Sequence, residues 1–253
     1  MLTMLRKMMY RARGFYDGRL ADERFRLDPY HSKFWRKASA GKWEPETLAM
    51  LAAHLDKGRD YLAIGAWIGP TVLYGARKAR HVWCFEPDPE AFRALAWNIE
   101  LNRLDNVSAF AAALSQEIGV ARMAGMRGEK GDSTTSLLNP GGLAGSDVLT
   151  LRFDQFANAV DLSGVSLVKM DIEGAEFDVL PTLLPWLQQH RPALLLSTHA
   201  PFLPESERAQ RMNALRDQLS FYTDVRDDKG TAGFEALTAG RALTRFPSFL
   251  FSG

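Results

Sequence analysis

The chain has 253 residues, 46% of them hydrophobic, which suits one large α/β domain with a complete core. Its formal net charge of +1 at pH 7 produces no field that would gather nucleic acid, so no nucleic-acid partner is expected. The single cysteine, Cys84, cannot form an internal disulfide, which favours a reducing, cytoplasmic location.

The N-terminal segment MLTMLRKMMYRAR predicts an amphipathic helix. It is basic and rich in methionine, but it lacks the long apolar region and small-residue cleavage site of a signal peptide. Packing of this helix on its own domain is favoured over contact with a membrane surface. No apolar run approaches the roughly 20 residues of a membrane span, so stable membrane insertion is not expected. Residues 1–47 are predicted to form a helical extension, and residues 48–253 the main domain, which opens with a helix at 48–55.

Residues 60–88 predict a nucleotide-binding crevice. An apolar run at 61–64 predicts a buried strand, a glycine-rich turn follows at 65–69, and a second apolar run at 82–85 ends at Glu86. This order, with a helix between the two runs, is half of a doubly wound sheet. An acid about 20 residues after the first glycine can accept hydrogen bonds from both hydroxyls of a ribose. A nucleoside ligand is the first hypothesis, and a tight turn that binds no ligand is the alternative.

The glycine pattern disfavours a dinucleotide. A dinucleotide fingerprint has a glycine two places after the first, where the backbone closes on a pyrophosphate, but this chain has Trp67 there. An indole at that place would obstruct a diphosphate. The wider spacing from Gly65 to Gly69 suits a ligand without phosphates, such as S-adenosylmethionine.

The remaining elements alternate along the chain. A helix at 89–102, with Asp88 as its N-cap, precedes predicted strands at 107–114, 166–172 and 193–198. Two further β-type runs, at 221–225 and 246–251, predict an antiparallel pair at the sheet edge. The fold class is therefore α/β, with a doubly wound, mostly parallel sheet. Between the third and fourth strands, residues 123–147 are rich in Gly, Ser, Thr and Asn and predict a mobile lid over the acceptor.

A second group of candidate residues follows the fourth strand. Lys169, Asp171 and Glu173 alternate with apolar residues, so in extended chain they share one face, at the sheet edge where ligands of open α/β sheets bind. They could bind a cationic donor, orient an acceptor or hold a divalent cation, whereas Glu176 could simply begin the next helix. His199 follows the fifth strand and is interpreted as the catalytic base, with Asp171 positioning the acceptor. No histidine pair has zinc-ligand spacing, and no metal site is predicted.

Several motifs resemble the FkbM family of S-adenosylmethionine-dependent methyltransferases: WEPETL, IGAWIGP, FEPDPEAFRAL with Asn98 and Asn102, and VKMDIEGAEFDVL followed by the strand that ends in His199. The resemblance runs from about residue 34 to residue 199. It implies a seven-stranded class I, Rossmann-like fold and O-methylation of a hydroxyl on a small molecule or glycan. It also implies a donor site formed by Glu44, Thr47, Gly65, Ala66, Trp67, Gly69, Glu86, Pro87, Ala113, Leu114, Ser115 and Asp171.

One departure from the family pattern bears on donor binding. The family usually has an acid two positions before the first glycine, and this chain has Ala63. Loss of a charge-assisted hydrogen bond costs about 1.5–3 kcal/mol, so weaker donor binding is expected. Two alternatives therefore stay open: a methyltransferase-fold protein without efficient donor binding or catalysis, and an NAD-binding oxidoreductase. The sequence also leaves a homo-oligomer open.

Overall fold

The computed structural model describes residues 2–125, 135–136 and 145–253. The helices in these residues are α1 (Leu2–Arg13), α2 (Ser32–Ser39), α3 (Pro45–His54), α4 (Pro70–Lys78), α5 (Pro89–Leu101), α6 (Phe153–Ala159), α7 (Glu176–His190), α8 (Glu205–Gln218) and α9 (Gly240–Thr244). The strands are β1 (Tyr16–Leu20), β2 (Glu23–Leu27), β3 (Asp60–Ile64), β4 (His81–Phe85), β5 (Val107–Phe110), β6 (Ala113–Leu114), β7 (Gly119–Gly125), β8 (Thr135–Ser136), β9 (Ser146–Leu151), β10 (Val165–Met170), β11 (Ala193–Ser197), β12 (Asp224–Asp227) and β13 (Ser248–Ser252).

The central sheet has seven strands in the order β12-β13-β11-β10-β3-β4-β5. Its five strands from β11 to β5 run parallel, whereas β13 is antiparallel to both β11 and β12. The structure thus confirms the predicted α/β fold and its antiparallel edge pair. The chain order reverses between β3 and β10, and the crevice outside the carboxyl ends of such strands is where ligands bind in doubly wound folds.

Helices cover both faces of this sheet. In β3, Leu62 and Ile64 point into a core shared with α6, α7 and α8, whereas Tyr61 and Ala63 point into a core shared with α2 to α5. All five residues of β3 are buried, as expected for a parallel strand with both faces covered. The carboxyl end of β3 is therefore held on a rigid, packed scaffold.

Several predicted boundaries differ from the structure. Helix α3 begins at Pro45 instead of residue 48, because proline fits the first helical position without losing a hydrogen bond. The run 107–114 forms two strands, since β5 joins the central sheet while β6 pairs with β9 in a second sheet of order β6-β9-β7-β8. The segment 1–47 is not purely helical, because β1 and β2 form an antiparallel hairpin within it.

The predicted lid falls mainly outside the described residues, which omit 126–134 and 137–144. Its flanks are strands, because β7 and β9 pair along five residues from Gly119↔Thr150 to Met123↔Ser146. Within the described part of the chain, no helix has the length and apolar character needed to cross a membrane.

Candidate active site

The glycine turn, residues 65–69, joins β3 to α4. Gly65 has φ +88° and Gly69 has φ +100°, both in the left-handed region that favours glycine. A methyl group on Gly65 would overlap the backbone carbonyl oxygen of Asp171 at the end of β10. Glycine is thus required at position 65 by its backbone angle and by the close approach of the neighbouring strand.

Glu86 braces the glycine turn from the end of β4. Its buried carboxylate accepts hydrogen bonds from the backbone N–H groups of Trp67, at 2.6 Å, and Asp88, at 2.8 Å. Burial raises the pKa of Glu86 to about 7, although these two hydrogen bonds lower it. An ionised carboxylate offers about four acceptor sites, so two remain for a ligand.

A cavity of about 350 Å³ runs along the carboxyl edge of the sheet, a volume within the usual range for small-molecule sites. Its wall contains most of the predicted donor residues, namely Glu44, Gly65, Ala66, Trp67, Glu86, Pro87, Ala113, Leu114 and Asp171. Thr47, Gly69 and Ser115 do not line it. Gly69 is the N-cap of α4 and lies against Leu95. The predicted residues Lys169 and Glu173 also line the cavity.

An aromatic wall that sequence reasoning missed closes the cavity from the N-terminal side. Phe34 of α2 contacts Trp67 edge to face, with ring centroids 4.6 Å apart, and Trp43 at 5.2 Å. Lys37 lines the cavity on the same side. The only sequence signal for this wall is the aromatic and basic content of 34–43, which does not reveal that α2 packs over the glycine turn.

The charge cluster is formed by Lys169, Asp171, Glu173, Glu176 and His199, of which the first three line the cavity. Lys169 Nζ is 2.7 Å from Asp171 Oδ2, and His199 Nε2 is 3.4 Å from Glu173 Oε2 and 3.6 Å from Asp171 Oδ1. The tertiary structure thus brings all four predicted catalytic residues together. His199 lies behind the cavity wall and is only 5% exposed.

Glu176 does more than begin helix α7, because its side chain also contacts His199. It is completely buried, and its carboxylate accepts hydrogen bonds from the backbone N–H of His199, at 2.6 Å, and of Gly174, at 2.8 Å. The same carboxylate lies 3.3 Å from His199 Nδ1, which leaves Nε2 directed at Glu173 and Asp171. Glu176 therefore fixes the orientation of the imidazole ring.

This environment changes the protonation expected for His199. Burial disfavours the imidazolium, but the hydrogen bond and charge of Glu176, together with Asp171 and Glu173, raise the pKa of His199 to about 9. The prediction of His199 as the base rests on the ordinary pKa of imidazole, and a pKa raised in this way favours the imidazolium and makes the ring a poorer proton acceptor near neutral pH. The catalytic role of His199 stays a prediction.

The carboxylates of Glu173 and Asp171, both at the cavity wall, have pKa values shifted in opposite directions. Burial raises the pKa of Glu173 to about 7, despite the nearby charge of His199. Burial also acts to raise the pKa of Asp171, but Lys169 and His199 hold it below its usual value. Glu173 also has φ +52°, a left-handed angle that is uncommon outside glycine and is concentrated at functional sites.

Asp171, Glu173 and His199 also have the spacing of a cation site, because their ligand atoms lie within 4.8 Å of one another. One oxygen of Asp171 is already paired with Lys169, and the raised pKa of His199 favours the imidazolium, which cannot bind a metal ion. Both features disfavour the binding of a divalent cation. The absence of a resident metal stays a prediction.

Ala63 lies beside Lys169 in the parallel pairing of β3 with β10. It is 1% exposed and does not line the cavity. Burial opposes the charge of Lys169, but the charges of Asp171 and Glu44 raise its pKa above the usual value. The carboxylates of Asp171, just after β10, and of Glu44, just before α3, thus lie near enough to act on Lys169 in a chain that has no acid at position 63.

The methyltransferase FkbM domain family has a model that matches residues 64–224. Similar solved structures include an FkbM methyltransferase from Methylobacillus flagellatus KT, with 15% identity and a TM-score of 0.48, over 78% of this chain and 44% of that one. A putative methyltransferase from Streptococcus mutans in complex with SAH has 9% identity and a TM-score of 0.48, over 82% and 96% of the two chains. An O-methyltransferase from Bacillus cereus in complex with SAH has 13% identity and a TM-score of 0.45, over 81% of this chain and 77% of that one.

The chain spans less than half the length of the Methylobacillus protein. Curated proteins gave no match.

Proposed function

Because the chain belongs to the FkbM family of methyltransferases, which use S-adenosylmethionine, we propose that it methylates a hydroxyl oxygen of a small molecule or glycan. The observation that carries this proposal is a single cavity whose wall contains Glu86 and the glycine turn together with Lys169, Asp171 and Glu173. A nucleoside donor and an acceptor hydroxyl can then meet along one sheet edge. The proposal favours a catalytic protein over a donor-impaired one, because Asp171 and Glu44 supply the negative charge that Ala63 lacks.

The residues present fit the donor. Glu86 has free acceptor sites for ribose hydroxyls, and an apolar part of the wall, formed by Phe85, Leu114 and Met123, suits an adenine ring. Asp171 and Glu44 would face the ammonium group of the methionine part. The bound donor supplies a methyl group activated by its sulfonium charge.

We propose that Glu173 is the catalytic base and Asp171 the residue that orients the acceptor. Glu173 lines the cavity, and its pKa of about 7 matches proton transfer near neutral pH. It would accept the proton of the acceptor hydroxyl as the oxygen forms its bond to the methyl carbon and the carbon–sulfur bond breaks. His199, held by Glu176, is a positioning residue whose positive charge keeps Glu173 and Asp171 in place.

Glu173→Gln should lower kcat at least about 100-fold, while the Kd of S-adenosylhomocysteine stays within a few-fold, because the change removes the base but not the donor site. The matched control is Glu100→Gln, at an exposed glutamate on α5, which should leave both quantities unchanged. Donor binding is measured by calorimetry, and turnover by S-adenosylhomocysteine release with a panel of small-molecule and glycan hydroxyls.

The pH profile separates the two candidate bases. With Glu173 as base, kcat should rise with pH to a plateau with a midpoint near 7, since the carboxylate must be ionised. A midpoint near 9 would assign the proton to His199 instead. Micromolar binding of NAD without binding of S-adenosylhomocysteine would overturn the methyltransferase proposal itself.

A further inference from the structure

Helix α1 has an apolar face that is mostly exposed. Met4, Leu5, Met8 and Met9 are 70%, 69%, 58% and 54% exposed, respectively. The sequence favours packing of this helix on its own domain, and in the structure α1 does contact the domain, but not through this face. A contiguous face of large exposed apolar side chains marks an interaction surface.

The charges of α1 are arranged around this face. At about 100° per residue, Met4, Met8, Leu5 and Met9 fall within an arc of roughly 140°. Lys7 and Arg11 border one side of the arc, and Arg6 and Arg13 border the other. The helix contains no acidic residue. Such an apolar face between two rows of cations is typical of helices that lie in the plane of a membrane surface.

Contacts opposite the arc and at its borders attach α1 to the protein. Tyr10, opposite the arc, contacts Tyr16 of β1 edge to face, with ring centroids 5.1 Å apart. At the borders, Arg11 lies over the ring of Tyr30 at 4.8 Å, and Arg13 lies over that of Phe15 at 4.2 Å and pairs with Asp17 at 2.8 Å. The arc is thereby held facing away from the domain.

Tyr30 extends the same surface. It is 61% exposed and lies directly beneath Arg11 at the border of the arc. Tyrosine is enriched at membrane interfaces, because its apolar ring and polar hydroxyl suit the headgroup level. This residue comes from the turn before α2, so two separate parts of the chain contribute to the surface.

We propose that α1 docks this protein reversibly on an anionic phospholipid bilayer, with the helix in the membrane plane. The apolar arc enters the boundary between headgroups and acyl chains, while the flanking cations remain among the anionic headgroups. Each cation near such a surface contributes about fivefold to partitioning, so the attraction depends on salt. None of the α1 residues lines the cavity, and the proposal stands independently of the methyl-transfer reaction.

The test is flotation of the full chain with vesicles of phosphatidylcholine alone or with about 30 mol% phosphatidylglycerol, at low and high salt. The wild-type protein should float with the anionic vesicles at low salt, at least about tenfold more than with the neutral ones, and should be released at high salt. Leu5→Asp combined with Met8→Asp should lower binding at least about tenfold, because the changes place carboxylates within the arc. Lys7→Glu combined with Arg6→Glu should lower it by a similar factor.

The matched control is Val120→Asp, which changes an exposed apolar residue on β7, 70% exposed and away from α1. This variant should bind vesicles like the wild type. Circular dichroism and S-adenosylhomocysteine binding should be unchanged in all variants, which excludes misfolding as the cause of a loss. Equal binding to neutral and anionic vesicles, or no loss in the α1 variants, would overturn the proposal. A dimer in solution that the Leu5/Met8 changes dissociate, without vesicle binding, would assign the face to a second copy of the chain instead.

Discussion

Around the glycine turn, backbone groups and one buried acid define the geometry of the cavity wall, whereas in the charge cluster ionisable side chains from three elements define it. Gly65 and Gly69 take left-handed angles in the turn, and Glu86 is held by two backbone N–H groups. No comparable local sequence rule predicts the protonation of the charge cluster. Its pKa values depend on groups that the fold brings together from β10, α7 and the end of β11. The first kind of site is encoded by local spacing, and the second depends on tertiary packing.

Gly65 is the point where the glycine turn touches the end of the strand that carries Lys169 and Asp171. Changing it should therefore have the largest effect on stability. Gly65→Ala introduces a methyl group that overlaps the Asp171 carbonyl, in addition to a strained left-handed angle. The matched control is Gly230→Ala, because Gly230 has φ +82° and no atom within 4 Å of the added carbon. We expect the free energy of unfolding to fall by about 1–2 kcal/mol in the control and by at least about 2 kcal/mol more in Gly65→Ala.

Urea denaturation, monitored by tryptophan fluorescence, measures the free energy of unfolding of both variants. Equal decreases in the two variants would mean that the ends of β3 and β10 move apart easily to make room for the added methyl group. The close contact between the glycine turn and β10 would then not be a rigid part of the site.

Glu86 should make the free energy of unfolding of the protein depend on pH. Its pKa rises from 4.5 to about 7 in the folded protein, so folding favours the protonated form. The resulting stabilisation is complete below pH 4.5 and is lost as the pH rises through 7, by up to about 3 kcal/mol. Glu86→Gln should remove this part of the pH dependence.

Urea unfolding at several pH values between 4 and 8 measures this pH dependence of the free energy of unfolding. Glu100→Gln, at an exposed glutamate, is the control. The control should keep the wild-type slope. If Glu86→Gln also keeps it, the pH dependence belongs to the charge cluster, where the pKa of Glu173 is raised in the same direction.

Ala63→Asp should have the smallest effect on the donor. The site of substitution is 1% exposed and lies beside Lys169, so a carboxylate there would pair with this lysine and not reach the cavity. The Kd of S-adenosylmethionine, measured by calorimetry, should change by less than about threefold. Tightening of tenfold or more would show that the missing acid contacts the donor directly, and that Glu44 and Asp171 do not replace it.

The sequence alone predicted those parts of the fold that follow from local rules. Apolar runs that alternate with helices, and the glycine turn after the first run, predict the doubly wound sheet, because a buried parallel strand needs a continuous apolar run and its turn needs glycine. Glu86 could be identified in the same way, by its spacing from Gly65. The positions of Lys169, Asp171, Glu173 and His199 at the carboxyl ends of two predicted strands also placed them at one edge of the sheet, where the structure finds them.

Tertiary structure alone decided the properties that depend on contacts between distant residues. The pKa of His199 is raised because Glu176, from a helix more than 20 residues earlier in the chain, lies against the imidazole, and the proposal of Glu173 as the base follows from this contact. The aromatic wall of Phe34 and Trp43 and the exposed face of α1 depend in the same way on how helices pack. Sequence periodicity shows that a helix has an apolar face, but only the arrangement of neighbouring elements determines whether that face is covered.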